Sequence, residues 1–277
     1  MKVFVFPGQG SQKRGMGEGL FDSVAQFAQV EGEVDRLLGY SLRKLCLEDA
    51  DHQLKETQFT QPALYVVNAL HYFKAVADGN RPDAVAGHSL GEYDALLAAG
   101  AFDLLTGLRL VQKRGELMAQ ARGGGMAAVI GLTPEQIAAT LKQNGLDSVD
   151  VANFNSPTQT VISGPVADMQ RAKPVFEQAG ARMYVPLQVS AAFHSRYMAD
   201  AAKAFDGFLA GFEFAAPSIP VIANVTAEPY PSDDPGATIR SLLVKQITQS
   251  VQWTQSIRHL IGKGAQSFQE MGPGNVL

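Results

Sequence analysis

Asp83-Ala84-Val85-Ala86-Gly87-His88-Ser89-Leu90-Gly91-Glu92 is the stretch on which the reading of this chain turns. Asp83 to Ala86 reads as a short buried strand. It runs straight into Gly87-His88-Ser89-Leu90-Gly91, and a helical pattern follows from Glu92 to Ala99. G-x-S-x-G between a strand and a helix makes a sharp turn that lifts the serine hydroxyl clear of a sheet. The glycines relieve crowding, and the helix N-terminus behind favours developing negative charge. The bare pattern is common, but with both flanks in place Ser89 reads as a nucleophile rather than part of a structural turn. A strand feeding a helix in this way also predicts an α/β architecture.

Upstream, Val3 to Phe6 reads as a first buried strand that ends in Pro7 and a glycine-rich loop, Gly8-Gln9-Gly10-Ser11-Gln12. Helical sequence follows to about Leu47. Thr60 is placed as the N-cap of a buried helix over Ala63–Val76, with Pro62 in its first turn. Downstream, Leu104 to Gln120 reads as an amphipathic helix. After Gly123-Gly124-Gly125 the pattern changes. Strands at Met126–Leu132, Val149–Phe154, Gln159–Ser163 and Arg182–Val189 alternate with helices at Thr133–Asn144 and Ala167–Gln178. This β-α-β-β-α-β order is the split, ferredoxin-like unit. The expected organisation is a large α/β subdomain (1–124 and 190–277) with a small subdomain (125–189) inserted into it. Pro220 to Val225 is the clearest late strand.

The 277 residues suffice for one large domain or two small ones. Lys and Arg number 23 against 27 Asp and Glu, a net charge of −4, so no basic excess points to nucleic acid. A single cysteine, Cys46, excludes an internal disulfide framework and reads as a packed core thiol. No apolar run reaches the roughly 20 residues of a membrane span, and the N-terminal run is too short for a secretory leader. The expectation is a soluble, cytoplasmic protein. No His, Cys and carboxylate cluster has metal-ligand spacing.

A serine nucleophile needs a base, usually histidine. Of the five histidines, His52 sits in a polar stretch, His71 in an apolar helix and His259 in a charged one. His88 is the variable elbow position, with its side chain expected to point away from Ser89. His194 follows an apolar strand among small residues, where α/β folds place catalytic groups, and is the best candidate. No orienting acid is evident: Asp147, Asp150 and Asp168 all fall within the inserted unit. A backbone carbonyl or a more distant acid must take that part. Arg114 falls with Leu104, Leu108, Val111 and Met118 on the apolar face of its helix. A buried guanidinium needs acceptors, either a structural ion pair or a substrate carboxylate held bidentately. Gly8-Gln9-Gly10 lacks the third glycine of a dinucleotide loop, because that position is Lys13. Its backbone N–H groups can instead serve an oxyanion hole.

Taken together these motifs resemble the malonyl-CoA:acyl carrier protein transacylase family. The resemblance runs through Phe6-Pro7-Gly8-Gln9-Gly10-Ser11-Gln12, Thr60-Gln61-Pro62-Ala63, the elbow with Glu92, Arg114-Gly115, Asn153-Phe154-Asn155-Ser156-Pro157, Phe193-His194-Ser195, Pro220 to Val225 and Gly272-Pro273-Gly274. It implies an α/β-hydrolase-like core with an inserted ferredoxin-like subdomain. It implies Ser89 as acylated nucleophile, His194 as base, and Gln9 and Leu90 as oxyanion-hole donors. It also implies Arg114 as the ligand of the malonyl carboxylate, and Gln246 as the residue whose backbone carbonyl orients the histidine. No bound cofactor is implied; malonyl-CoA is the substrate, a phosphopantetheinylated acyl carrier protein the partner, and a monomer the expected state. Arg122 to Val129 and Ala191-Ala192-Phe193-His194 are more similar to discrete acyltransferases serving modular polyketide synthases than to housekeeping enzymes of fatty-acid synthesis. Malonyl-selective polyketide acyltransferases commonly carry His-Ala-Phe-His there, and Ala191 replaces the first histidine. Phe193 is then expected to limit the acyl pocket. Family members also continue for a short segment beyond the position of Leu277, which suggests a trimmed terminus.

Overall fold

A computed structural model describes residues 1–277. Two four-stranded sheets organise the chain. The first joins β1 (Lys2–Phe6), β2 (Ala84–Gly87), β7 (Val221–Ile222) and β8 (Ser267–Glu270) in the order β7-β2-β1-β8, all parallel. On β1, Phe4 and Phe6 enter the main core, while Val3 and Val5 pack with Ala84, Ala86 and Ile222 on the opposite face. A strand buried on both faces reads as a continuous apolar run, as Val3 to Phe6 does. Four short helices, α1 (Leu20–Ser23), α2 (Ala25–Ala28), α3 (Glu31–Leu38) and α4 (Leu42–Glu48), lead to α5 (Thr57–Ala77). Then come α6 (Gly91–Ala98) and α7 (Leu104–Gln120), and the core lies chiefly among α5, α6, α7 and the parallel sheet.

The second sheet contains β3 (Gly124–Ile130), β4 (Asp150–Ser156), β5 (Gln159–Pro165) and β6 (Met183–Pro186), antiparallel in the order β4-β5-β3-β6. Helices α8 (Pro134–Gln143) and α9 (Val166–Gln178) interleave with it in the split order. Thr133 and Gln136 close a capping box on α8. Ala127, Val129 and Ile162 face Ile137, Leu141, Ala172 and Phe176 of the two helices. The alternate residues Met126, Ala128 and Val161 join the main core instead. One face of this sheet therefore has its own helices, and the other roofs the larger unit. Backbone bonds from Phe154 N–H to Val251 and from Val251 N–H to Ala152, each 2.9 Å, stitch β4 to the segment before α12 (Trp253–Gly262). The molecule is an α/β-hydrolase-like core with an inserted ferredoxin-like unit. After that unit come α10 (Ala199–Leu209) and α11 (Pro235–Thr248).

Three local expectations need correction, and one strand was not foreseen. Thr60 is not an N-cap: α5 starts at Thr57, with Glu56 as its cap residue. The Thr60 hydroxyl instead donates to the carbonyls of Leu54 and Glu56 at 2.6 and 2.9 Å, and Pro62 lies beyond the first turn. The late strand keeps only Val221 and Ile222, because the chain turns back after Ala223, whose N–H reaches Glu228 O. The strand expected over Arg182–Val189 pairs only from Met183 to Pro186. β8 escapes a pattern search because Ser267, Phe268 and Gln269 are exposed on the sheet edge.

Candidate active site

Both loops at the carboxyl ends of β1 and β2 converge, since Phe6 pairs in register with Gly87. Their closeness depends on glycine. A Cβ on Gly91 would stand 2.1 Å from the Phe6 carbonyl oxygen, and one on Gly8 would stand 2.4 Å from that of His88. Ser89 occupies the left-handed region at φ 52°, a strain of about 1–3 kcal/mol that the surrounding bonds must hold. They do so through Asn224, whose Oδ1 accepts the Ser89 N–H at 2.7 Å while its Nδ2 donates to Gly87 O at 2.6 Å. The short late strand thus delivers Asn224 to the underside of the elbow.

His194 is also left-handed, at φ 55°, and is buried. Its Nε2 lies 2.8 Å from Ser89 Oγ. Its Nδ1 lies 2.7 Å from the Gln246 carbonyl oxygen. A carbonyl can only accept, so the proton sits on Nδ1 and the Nε2 lone pair faces the serine. Gln246 lies in the last turn of α11, where carbonyls have no partner within the helix. That free carbonyl takes the place an acid would fill. Asp150 pairs with Arg196, and Asp168 with Arg171, and neither carboxylate bonds His194.

Arg114 is 1% exposed, and no carboxylate contacts it. Its guanidinium donates to Gln61 Oε1 at 2.7 Å, Gln246 Oε1 at 2.8 Å and Ser89 Oγ at 3.1 Å, and Nε has no partner. It lies over the Tyr93 ring, 5.6 Å from the centroid. The structural ion pair is therefore absent, and a buried cation stands beside the reactive hydroxyl with neutral partners only. Burial, reinforced by the charge on Arg114, pushes His194 down to about 3, so the imidazole is neutral in the resting site.

The Gln9 and Leu90 backbone N–H groups donate to no protein acceptor. Both residues line a cavity of about 90 Å³ with Ser89, Arg114, Phe193 and His194. Gln9 is pinned by its own amide, which donates to Thr57 Oγ1 at 3.2 Å. Phe193 is buried in the same wall. His88 turns its Nε2 to Asn155 Oδ1 at 2.8 Å, yet its ring still forms part of that wall. Of the remaining histidines, His259 pairs with Glu228. Cys46 is a buried free thiol with its pKa raised by burial. No group of His, Cys and carboxylates is arranged to hold a metal, and no helix is long and apolar enough to cross a membrane.

This geometry can carry out acyl transfer through a serine ester. The family model described as the acyl transferase domain matches residues 3–277. The chain belongs to the acyl transferase domain family. This acyl transferase is 55% identical over 279 residues to the polyketide biosynthesis malonyl CoA-acyl carrier protein transacylase BaeC of Bacillus velezensis, covering all of this chain and 94% of that relative. It superposes on the crystal structure of a malonyl CoA-acyl carrier protein transacylase from Burkholderia pseudomallei with a TM-score of 0.92 and 48% identity, covering 99% and 94% of the two chains. A further structure, described as a type II PKS acyl-carrier protein in complex with its malonyl-transacylase (PlMCAT:AntF), matches with a TM-score of 0.92 and 37% identity, over 99% and 89%.

Sequence reasoning missed Gln61, Glu92 and Asn224 as parts of the site. Their signals were a polar side chain in an otherwise apolar stretch and a place within the motifs that carry the family resemblance, neither of which names a role.

Proposed function

We propose that this acyl transferase moves malonyl from malonyl-CoA to the phosphopantetheine thiol of an acyl carrier protein, acting in trans for a modular polyketide synthase. The observation that carries the reading is a buried guanidinium, free of carboxylates, bonded to the same hydroxyl that meets His194. His194 Nε2 takes the Ser89 proton as Oγ attacks the thioester carbonyl. The Gln9 and Leu90 N–H groups receive the oxyanion. The C–S bond breaks, and the imidazolium returns its proton to the departing coenzyme A thiolate. The carrier's thiol then gives its proton to His194 and attacks the malonyl ester; the bond to Ser89 Oγ breaks, and the imidazolium returns the proton to Oγ. Arg114 turns from Ser89 Oγ to the malonyl carboxylate. Burial is the main cause of the depressed His194 pKa and stays in place, but that pairing offsets the second cause, the charge on Arg114, so the substrate strengthens its own base in part.

The cavity of about 90 Å³ has room for roughly three waters, which suits a short acyl group and not a fatty chain. Phe193 limits it on the side of the α-carbon. We take residues 1–124 and 190–277 as the large subdomain and 125–189 as the small subdomain covering the acyl pocket. The protein works as a cytoplasmic monomer without a bound cofactor. The similarity to BaeC favours a polyketide carrier over the fatty-acid carrier of a housekeeping transacylase. Intact-mass measurement after mixing with malonyl-CoA should show one malonyl adduct on wild type and none on Ser89→Ala, and the adduct should pass to a phosphopantetheinylated polyketide carrier. Adduct on Ser89→Ala, or transfer to water alone, contradicts the reading.

A further inference from the structure

The mechanism above does not use Glu92, although it is 1% exposed and lies three residues from Ser89. Its carboxyl is met only by donors. Oε1 accepts the Tyr230 hydroxyl at 2.6 Å and the Asn224 N–H at 3.1 Å, and Oε2 accepts Gln246 Nε2 at 2.5 Å. The Gln246 amide has a second role for each of its ends. Nε2 also donates to Ser89 O at 2.9 Å, and Oε1 accepts from Arg114 at 2.8 Å. An amide can satisfy two acceptors on one side and a guanidinium on the other in one orientation only.

We propose that Glu92 is a positioning residue for Arg114, fixing the Gln246 side-chain amide so that its oxygen faces the guanidinium and its nitrogen faces the elbow. The main-chain carbonyl that orients His194 belongs to the same residue but is held by helix α11, so Glu92 governs the carboxylate clamp and not the base. Burial raises the Glu92 carboxyl to about 7, opposed by its three donors and by Arg114. The group nevertheless keeps its acceptor face toward Gln246, because Nε2 has only hydrogens to offer. Tyr93, Tyr230 and Arg114 are the titratable groups around it.

The inference rests on Arg114 being the malonyl clamp, and the test separates the two. In Glu92→Gln the new amide has to hydrogen-bond Tyr230 and the Asn224 N–H through its oxygen. That turns its NH2 against Gln246 Nε2, donor to donor, and forces the Gln246 amide out of place. Malonyl-CoA kcat/KM should fall roughly tenfold, the scale of an unmet buried donor, chiefly through KM. Acetyl-CoA kcat/KM should change by less than about threefold, on the scale of a single modest hydrogen bond. Glu92→Asp keeps a carboxyl but withdraws it by one methylene, and should give a smaller loss of the same kind. It carries the test alone if the glutamine variant does not fold. Tyr230→Phe leaves the amide pattern intact and should keep the malonyl-to-acetyl ratio within about twofold. Equal losses for both substrates, or an unchanged ratio in both Glu92 variants, overturn the proposal. Arg114→Ala in the same assay distinguishes the failures. If it collapses the ratio while the Glu92 variants do not, only the role of Glu92 is wrong. If it too leaves the ratio unchanged, the clamp itself is wrong.

Discussion

The two sheets of this molecule treat polar groups in opposite ways. Around the parallel sheet, the main core encloses Gln61, Asn68, Glu92, Asp94, Arg114, His194, Asn224 and Gln246, all nearly inaccessible. Around the antiparallel sheet the buried polar residues are uncharged (Thr140, Asn153, Thr160, Ser163), and the charged pairs Arg171–Asp168 and Arg196–Asp150 lie at the surface. Burying a charge is costly unless its bonds are met. The larger unit meets most of them through a network running from Glu92 through Gln246 to Arg114 and Ser89, leaving Arg114 Nε and Asp94 Oδ1 without partners. The inserted unit has no such network. It covers the site, and the buried charged groups lie in the larger unit beneath it.

That division has consequences that differ in size. His194→Ala should slow serine acylation by roughly 10²–10⁴-fold, the scale of a lost positioned base, with little change in melting temperature. Stopped-flow acylation with malonyl-CoA measures it, and a near-normal rate would move the base elsewhere. Phe176→Ala empties the inserted unit's own core, where the ring is fully buried. It should cost about 3–5 kcal/mol of stability by denaturant unfolding. The malonyl-to-acetyl ratio of the remaining folded protein should not move. If it does, the roof takes part in selecting the acyl group.

Phe193 stands at the seam between the two units and tests the comparison more finely. Methylmalonyl-CoA should be disfavoured against malonyl-CoA by about 1–3 kcal/mol in kcat/KM, the value of one methyl group in a closed pocket. Phe193→Ala should narrow that gap. The smallest effect is one of pH. His194 is held below its ordinary 6.5, down to about 3, so the neutral base persists as pH falls. With acetyl-CoA, which has no free carboxylate to pair with Arg114, kcat/KM should show no acid limb near 6.5. The same shift implies a stability term that is present above 6.5 and lost as pH falls toward 3. An acid limb at 6.5 would place His194 in a far wetter setting than its 4% exposure.

The elbow was legible because its demands are local: two glycines, a serine, a strand before and a helix after. Arg114 was legible by helical spacing, but spacing alone could not choose between an ion pair and a substrate ligand. The three neutral partners speak against the ion pair and support the proposed substrate ligand. Gln246 was beyond pattern reading, because its contribution to His194 is a main-chain carbonyl that any residue has. It entered through the resemblance alone. The inserted unit was legible from its alternation of strands and helices. β8, polar and exposed at the edge, was not. Thr60 misled because a hydroxyl before a proline looks like a cap, whereas here it bonds back to the preceding turn.

Arg114→Ala tests the central claim most directly, with kcat/KM measured for malonyl-CoA and acetyl-CoA alongside the melting temperature. Removing the guanidinium should cost malonyl transfer about 2–5 kcal/mol, the scale for truncating one partner of a buried charge pair. Acetyl transfer should be retained or improved, so the ratio collapses. A destabilised variant that loses both substrates equally, with the malonyl-to-acetyl ratio unchanged, would contradict the clamp.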